Sequence, residues 1–369
     1  MLYTLLFNLL KNMEIYSGCI LLLTNTVCGN NGVRVIDLNN ELLEVRDLTT
    51  SFRIEDNYYA AVDHVNLKVK KNEVLAIVGE SGSGKSAFAF SLMGLHNKAK
   101  IEGQILYKGQ DIANISPNKL NKLRGKEMGM IFQDPLSALN PLMIIGEQIE
   151  EILTLHQPRL SSKEKRDKVI HLLNQVGIPR PEQIYKQYPH ELSGGMRQRI
   201  VIAIAIANKP ELLIADEPTT ALDVTIQLQI LELIRDLKKE INAGIILITH
   251  DLGVVAEMAD RVAVMYAGEI VEIADIVTLM SNAKHPYTRS LLNSIPTLSE
   301  EKSKLHVIQG IVPSLKNLPR QGCRFKARIP WISDSAHEDN PQMHEIAPGH
   351  FVRCTCYQHF HFPDQAEEE

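Results

Sequence analysis

The chain has 369 residues, of which 44% are hydrophobic and 22% are charged, and its formal net charge is −5. This length allows one large domain with an appendage, or two domains, and this composition supports a substantial buried core. The net charge gives no indication of a nucleic-acid-binding surface, so we expect no nucleic-acid partner. The five cysteines are too few and too scattered for a disulfide framework, which favours a reducing compartment.

Residues 1–40 differ in character from the rest of the chain. Leucine and isoleucine are frequent before residue 32, but polar residues such as Lys11 and Glu14 interrupt them. No run therefore reaches the ~18 apolar residues of a membrane span. The start of the segment also lacks the positive charge of a secretory signal. We expect an N-terminal extension that is non-native or disordered, in preference to a membrane-surface helix or an additional core element.

Residues 74–86 carry the strongest signal in the sequence. An apolar run predicts a buried strand, and the glycine-rich residues after it match the phosphate-binding pattern G-x-x-x-x-G-K-[ST] at every fixed position. Glycines let the backbone wrap a polyphosphate, and the next helix presents its positive end to the same anion. We expect Lys85 to contact the β- and γ-phosphates and the Ser86 hydroxyl to bind Mg²⁺. The predicted ATP-binding residues here are Gly79, Glu80, Ser81, Gly82, Ser83, Gly84, Lys85, Ser86 and Ala87.

Further β segments lie on both sides of this stretch. Residues 42–48 are a strand candidate, and residues 65–69 alternate between apolar and polar, which is typical of a half-buried strand. Between them, Phe52 and Tyr59 are two candidates for an aromatic that stacks on the adenine base. The alternative is that both are surface aromatics of an antiparallel sheet. Residues 101–112 predict a hairpin.

Polar residues stand directly after three other apolar strand segments. Asp216 is followed by Glu217, and the pair comes after a continuous apolar run, which makes a plain acidic turn the weaker alternative. An aspartate at such a strand end holds Mg²⁺, and the next glutamate is placed to polarise the attacking water. For His250, which also follows an apolar strand, the alternative to a catalytic role is that of a structural histidine. The predicted catalytic residues are Glu217, His250, Gln133 and Lys85, and the predicted Mg²⁺ ligands are Ser86, Gln133 and Asp216.

Residues 144–199 are predicted to be largely helical. Ser161 and Glu164 have the spacing of a capping box. A second glycine-containing helix start follows, and it offers a second anion site. One nucleotide rarely needs two such sites, so we infer that the second site faces a phosphate held by a different subunit. The residues of this second site are Ser193, Gly194 and Gly195. Asp223, in a polar loop, is a further predicted nucleotide contact.

Together these motifs resemble the full set of an ABC transporter ATPase, in the order of that family. They cover about residues 42–274. The resemblance implies an α/β fold, a P-loop NTPase of the ABC-ATPase type with a RecA-like core sheet, an antiparallel β subdomain and an α-helical subdomain. We place the ATPase domain at residues 41–284, its helical subdomain at about 136–200, and a small C-terminal extension at 285–369.

Additional segments are similar to the oligopeptide/dipeptide importer branch, namely residues 132–141, 188–199, 285–289, 310–314 and 322–325. This branch implies an ATP-hydrolysing subunit, bound peripherally on the cytoplasmic face of a bacterial membrane, that powers peptide uptake. The implied partners are a homologous second ATPase, forming a heterodimer, two transmembrane permease subunits and an extracellular solute-binding protein.

Two alternatives to peptide import remain. A nickel or metal-chelate importer uses the same ATPase motifs, so the cargo is open. A non-transport ABC ATPase is less favoured. The stretch between Gln133 and Ser193 is too short for the coiled coil of the repair type, and the chain has one phosphate loop where the translation type has two.

Members of this branch often bind an iron–sulfur cluster through four C-terminal cysteines. Cys323 and Cys354 match the first and last of these, but Ile329 and Ala336 stand at the middle positions. Cys356 adds a third sulfur at a spacing that we judge unsuitable, so we expect no cluster. Nearby histidines match no standard zinc pattern, and we favour a solvated polar tail over a zinc site. These histidines are His337, His344, His350, His359 and His361.

Overall fold

The computed structural model describes residues 26–29, 32–35, 40–220, 222–294 and 308–363. The chain divides into two compact units, residues 1–40 and residues 41–369. In the first unit, strands β1 (Thr26–Gly29) and β2 (Gly32–Val35) pair in an antiparallel manner. Our prediction for residues 1–40 falls mostly on residues outside the described ranges.

A mixed eight-stranded sheet lies at the centre of the second unit. Its parallel strands are β5 (Val74–Val78), β8 (Met128–Ile131), β9 (Leu212–Asp216), β10 (Gly244–Thr249) and β11 (Arg261–Tyr266). In space they follow the order β11-β5-β10-β9-β8, and β12 (Glu269–Asp275) pairs antiparallel with β11. Every residue of β5, β9 and β10 is buried. Such continuous apolar strands are typical of a parallel sheet covered on both faces.

A second sheet is antiparallel and has the order β4-β3-β6-β7. Its strands are β3 (Glu41–Ile54), β4 (Asn57–Lys70), β6 (Ala99–Tyr107) and β7 (Gln110–Asp111). The predicted hairpin over residues 101–112 is confirmed. The predicted strands at 42–48 and 65–69 are parts of one longer hairpin, in which register shifts interrupt the pairing. Those irregularities break the sequence alternation that sequence analysis relies on.

Helices cover both faces of the main sheet and fill the connection between β8 and β9. Helix α1 (Lys85–Leu92) follows the glycine-rich loop, and α2 (Pro117–Leu123) precedes β8. The β8–β9 connection contains α3 (Pro135–Ala138), α4 (Ile145–His156), α5 (Ser162–Gln175), α6 (Pro181–Ile184) and α7 (Gly194–Ile206). The predicted capping box of Ser161 and Glu164 is confirmed at the start of α5.

The remaining helices are α8 (Val224–Ile241), α9 (Leu252–Met258), α10 (Ile276–Asn282) and α11 (Pro286–Asn293). Within the ranges that the structure describes, no helix combines the length and the apolar character needed to cross a membrane.

The C-terminal segment, residues 308–363, has little regular secondary structure. It contains three short 3₁₀ helices (Lys326–Arg328, Asp334–Ala336, Thr355–Gln358) and a hairpin of β13 (Met343–Ala347) and β14 (His350–Arg353). Strand β14 pairs with β12, so the hairpin adds two strands to the main sheet. The segment is therefore continuous with the main sheet at the level of backbone hydrogen bonds.

One expectation about this segment is wrong. His350 is not part of a solvated tail, because it is buried and its Nε2 lies 2.7 Å from Oε1 of the buried Glu272. The cysteines, although far apart in the sequence, come together, because the side-chain sulfurs of Cys323, Cys354 and Cys356 lie within 4.8 Å of one another. Backbone hydrogen bonds from Gly322 to Asp339 and from Cys354 to Gln342 fold these distant positions together.

A buried cation attaches the C-terminal segment to both sheets. The Arg324 side chain is 5% exposed, and its guanidinium contacts the carboxylate of Asp63 on β4 and lies 3.4 Å from that of Glu269 on β12. It also donates a hydrogen bond of 2.5 Å to the carbonyl of Ala267. Burial raises the pKa of Glu269, and the Arg324 charge opposes this shift.

We expect Arg324→Met to lower the free energy of unfolding by about 2–3 kcal/mol, because two largely buried carboxylates lose their most buried cation. Arg320 stays 3.5 Å from Asp63, and Arg353 stays 3.6 Å from Glu269. The matched control is Arg53→Met, since the Arg53 side chain is 60% exposed, forms an ion pair with the exposed Asp56 and donates a hydrogen bond to the Glu55 carbonyl. Surface pairs of this kind contribute little. Urea denaturation of both variants measures the difference. Equal losses in the two variants would contradict the role given to Arg324.

Candidate functional site

The carboxyl ends of four parallel strands lie level with one another at one edge of the main sheet. The strand register pairs Thr249 with Val78 and Ile248 with Asp216. Strand β8 pairs with β9 in the same direction. The residues that follow each strand therefore emerge side by side, at the edge where open parallel sheets bind ligands.

The glycine-rich loop, residues 79–84, joins β5 to α1, which includes Lys85, Ser86 and Ala87. Gly84 has φ +104°, and a Cβ there would lie 2.4 Å from the carbonyl oxygen of Ala61. Only glycine fits this position. The Ser83 hydroxyl is buried and has no hydrogen-bond partner among the described residues. A polar ligand bound in this loop would provide the hydrogen-bond partner that the Ser83 hydroxyl lacks.

Lys85 is buried inside the curve of this loop. Its ammonium donates hydrogen bonds to the carbonyl oxygens of Gly79, at 2.7 Å, and Glu80, at 2.9 Å. Burial lowers the pKa of Lys85, and the nearby carboxylates of Glu217 and Asp216 oppose that shift. The lysine thus places a positive charge where the loop would receive an anion.

Ser86 and Asp216 form an oxygen pair at the ends of α1 and β9. The Ser86 hydroxyl donates a hydrogen bond of 3.1 Å to Oδ1 of Asp216. Asp216 is buried, and burial raises the pKa of its carboxyl. A hydroxyl and a carboxylate in contact, beside a phosphate-binding loop, are the oxygen ligands that Mg²⁺ prefers. These two residues therefore fit a magnesium site.

Three predicted catalytic residues meet at the Glu217 carboxylate. Its Oε2 accepts hydrogen bonds from Nε2 of Gln133, at 2.9 Å, and from the hydroxyl of Thr220, at 2.8 Å. Nδ1 of His250 lies 3.6 Å from Oε1. The backbone of Glu217 has φ +45°, and its N–H donates to the Ile248 carbonyl. A non-glycine residue in this region is strained, and such strain concentrates at functional sites.

The two aromatic candidates for adenine stacking face each other as cross-strand partners on β3 and β4. The Phe52 ring contacts the ring of His96 edge-on, with centroids 5.0 Å apart. His96 in turn hydrogen-bonds to the carbonyl of Ala87, at 2.9 Å. Phe52 is thereby linked to the helix that follows the glycine-rich loop.

The second predicted anion site lies at the start of α7. Ser193 caps this helix by accepting a hydrogen bond of 3.3 Å from the Met196 N–H. Asp223 caps α8 by accepting one of 3.0 Å from the Ile226 N–H. A Cβ on Gly195 would lie 2.9 Å from the Ile226 side chain, and Gly194 is the first residue of α7. The two helix starts are therefore adjacent.

Sequence analysis missed three residues around the site. Tyr287 accepts a hydrogen bond of 2.7 Å from the Glu80 N–H, and Arg328 binds the Glu80 carboxylate at 2.6 Å. Thr220 holds Glu217. Thr220 stands three positions after Glu217, and Tyr287 lies in a segment already noted for its resemblance, so both had a local signal. Arg328 had none.

Comparisons with known proteins agree with this geometry. Residues 62–220 match the family profile described as "ABC transporter", and residues 271–333 match "Oligopeptide/dipeptide transporter, C-terminal region". The oligopeptide transport ATP-binding protein OppD of Lactococcus lactis subsp. lactis is 51% identical over 330 residues, which cover 89% of this chain and 97% of that protein. The corresponding AppD protein of Bacillus subtilis is 49% identical, covering 86% and 97%.

A solved structure extends the comparison to the fold. The dimeric post-hydrolysis state of an ATP-binding cassette bound to ADP and Pi superposes with a TM-score of 0.58 at 28% identity. It covers 63% of this chain and 98% of that one. The predicted fold class and resemblance are confirmed. The chain belongs to the ABC transporter family, as one of its ATP-hydrolysing subunits with the oligopeptide/dipeptide transporter C-terminal region.

Proposed function

We propose that this ATPase powers the uptake of oligopeptides or dipeptides across the cytoplasmic membrane. One observation carries the proposal: relatives named oligopeptide transport ATP-binding proteins are about half identical to it over nearly their whole length. The chain works on the cytoplasmic face, bound peripherally to two transmembrane permease subunits. An extracellular solute-binding protein delivers the cargo to them.

The triphosphate of ATP binds in the glycine-rich loop. Lys85 exchanges its hydrogen bonds to loop carbonyls for bonds to the β- and γ-phosphates, and the buried Ser83 hydroxyl gains a partner. Ser86 and Asp216, with Gln133 as a further ligand, would hold Mg²⁺, which would supply positive charge to neutralise the phosphates. Either Phe52 or Tyr59 supplies the face on which the adenine stacks.

Glu217 orients the water that attacks the γ-phosphate and acts as the general base toward a proton of that water. Thr220 and Gln133 fix Oε2 of the glutamate, which leaves Oε1 on the side of His250. His250 contacts the γ-phosphate. The reaction needs no covalent intermediate with the protein, so positioning and electrostatics supply the catalysis.

The site is completed by a homologous second ATPase, in a head-to-tail heterodimer. Ser193, Gly194 and Gly195 of this chain cover the ATP held by the second subunit, and Asp223 lies at the same interface. Closure excludes water and assembles the catalytic groups. Because Gln133 follows β8 and precedes the helices of the β8–β9 connection, it links nucleotide contact to movement of those helices against the permeases.

We expect Glu217→Gln to lower ATP turnover by about 10²–10⁴-fold while leaving ATP affinity within a few-fold, because the general base is lost and the phosphate contacts remain. Phosphate release and equilibrium ATP binding measure the two effects. The control is Glu240→Gln, an exposed glutamate that pairs with Lys209. Turnover that is normal in Glu217→Gln would refute the assignment.

Ser193→Ala is expected to reduce trapping of a photoreactive ATP analogue by vanadate on the second subunit, with a smaller effect on this chain. Lys85→Ala should give the opposite pattern. Because Ser193 also caps α7, Ser161→Ala serves as a control that removes a cap in the same helical region. A Ser193 variant that loses trapping mainly on its own chain would contradict a site shared between subunits.

The cargo is tested through the complex rather than through this chain. Purification of the assembled transporter, followed by mass spectrometry and metal analysis of its solute-binding protein, is expected to find bound peptides. Stimulation of ATPase activity in reconstituted vesicles by peptide-loaded binding protein should follow. Bound nickel or a metal chelate, with no response to peptide, would replace the peptide proposal by the metal-importer alternative.

A further inference from the structure

Three cysteines and one histidine converge in the C-terminal segment. The Sγ atoms of Cys323, Cys354 and Cys356 and a ring nitrogen of His337 all lie within 4.8 Å of one another. We refer to these four residues as the Cys3His cluster. The three cysteines are free thiols, and each of them is buried. The four residues of the cluster come from three separate stretches of chain, so a local sequence pattern does not reveal the cluster.

The ring of His337 lacks hydrogen-bond partners among the described residues. Both ring nitrogens of His337 are buried, and neither has a hydrogen-bond partner among the described residues. A buried polar atom without a partner destabilises the folded state. A bond from one of these nitrogens to a metal ion would satisfy it, and imidazole is the commonest metal ligand in proteins.

The distances indicate the kind of metal. Four ligands bound tetrahedrally to one zinc ion at Zn–S ≈ 2.3 Å have neighbouring sulfurs about 3.8 Å apart. The 4.8 Å limit of the Cys3His cluster is compatible with one such ion. In a four-iron cluster, each thiolate binds a different iron atom, so the sulfurs stand farther apart and four thiolates are needed. Three sulfurs and one nitrogen around a single point do not fit that group.

The surroundings are those of a closed site. The cluster lies in an apolar core that includes Phe325, Ile332 and Phe360. The Glu338 N–H points at Sγ of Cys354, at 3.5 Å, as is common for sulfurs that bind a metal. Cys354 itself has φ +66° and ψ +148°, a conformation rare outside glycine that the surrounding structure must hold in place.

We propose that the Cys3His cluster binds one zinc ion and that this ion is structural. Four protein ligands leave no open position for a substrate, and binding releases the thiol protons to solvent. The ion ties together a segment with little regular secondary structure. Arg324 of that segment forms the buried ion pairs with both sheets, and Arg328 of the same segment binds Glu80 of the phosphate loop. By ordering the segment, zinc therefore also orders the contact of Arg328 with Glu80.

Metal analysis of the full-length protein, purified without chelators, tests the proposal directly. About one zinc per chain is expected, without stoichiometric iron or acid-labile sulfide. Exchange of the metal for Co²⁺ should give the visible absorption of a tetrahedral cobalt–thiolate site. The absence of a stoichiometric metal together with no such cobalt spectrum would overturn the proposal, and so would iron with sulfide. Neither measurement requires ATPase activity, so the two measurements test the zinc proposal independently of the proposed function.

A matched pair of histidine variants tests the ligand set. His337→Gln is expected to weaken zinc binding by more than about 100-fold in competition with a chromophoric chelator, since outer-shell changes alone cost about 10–100-fold. His359→Gln, at an exposed histidine of the same segment, should bind zinc like the unaltered protein. Equal affinities in the two variants would overturn the assignment. If His337→Gln does not fold, the cobalt spectrum of the unaltered protein decides the question.

Discussion

The register of the parallel strands is the constraint on which the rest of the structure depends. Hydrogen bonds between β5, β10 and β9 pair Val78 with Thr249 and Asp216 with Ile248, so the three strands end within one residue of the same level. A slip of one residue would turn each buried strand over and move the groups that follow it. Because every residue of these three strands is buried, such a slip is strongly disfavoured. The apolar core thus positions the lysine, the carboxylates and the histidine that lie around the phosphate loop.

Tyr287 of α11 and Arg328 of the C-terminal segment contribute to the same site by contacting the phosphate loop. Tyr287 and Arg328 hold the backbone and the carboxylate of Glu80, so the loop is braced by residues more than 200 positions away in the sequence. Arg324 adds a buried connection to both sheets. The C-terminal segment is therefore in direct contact with the phosphate loop through Arg328 and with the main sheet through β14.

The parts of the site that sequence could predict share one property. Gly79 to Ser86, Asp216, Glu217 and His250 each follow an apolar strand directly, so a local pattern and the geometry of parallel sheets suffice to bring them together. The contact of Arg328 with Glu80 and the convergence of Cys323 with Cys354 depend on tertiary folding of a segment with few regular elements. The burial of His350 has the same origin, because its partner Glu272 lies on a strand that sequence analysis did not connect to it. Residue spacing along the chain carries no information about such contacts.

A structure of the assembled transporter with ATP, determined by electron cryo-microscopy with the Glu217→Gln variant, tests the shared site most directly. We predict that the Ser193 hydroxyl and the glycines after it lie within hydrogen-bond distance of the γ-phosphate held by the second ATPase. A closed state in which one subunit alone surrounds each nucleotide, with no group of its neighbour in contact, would contradict the account.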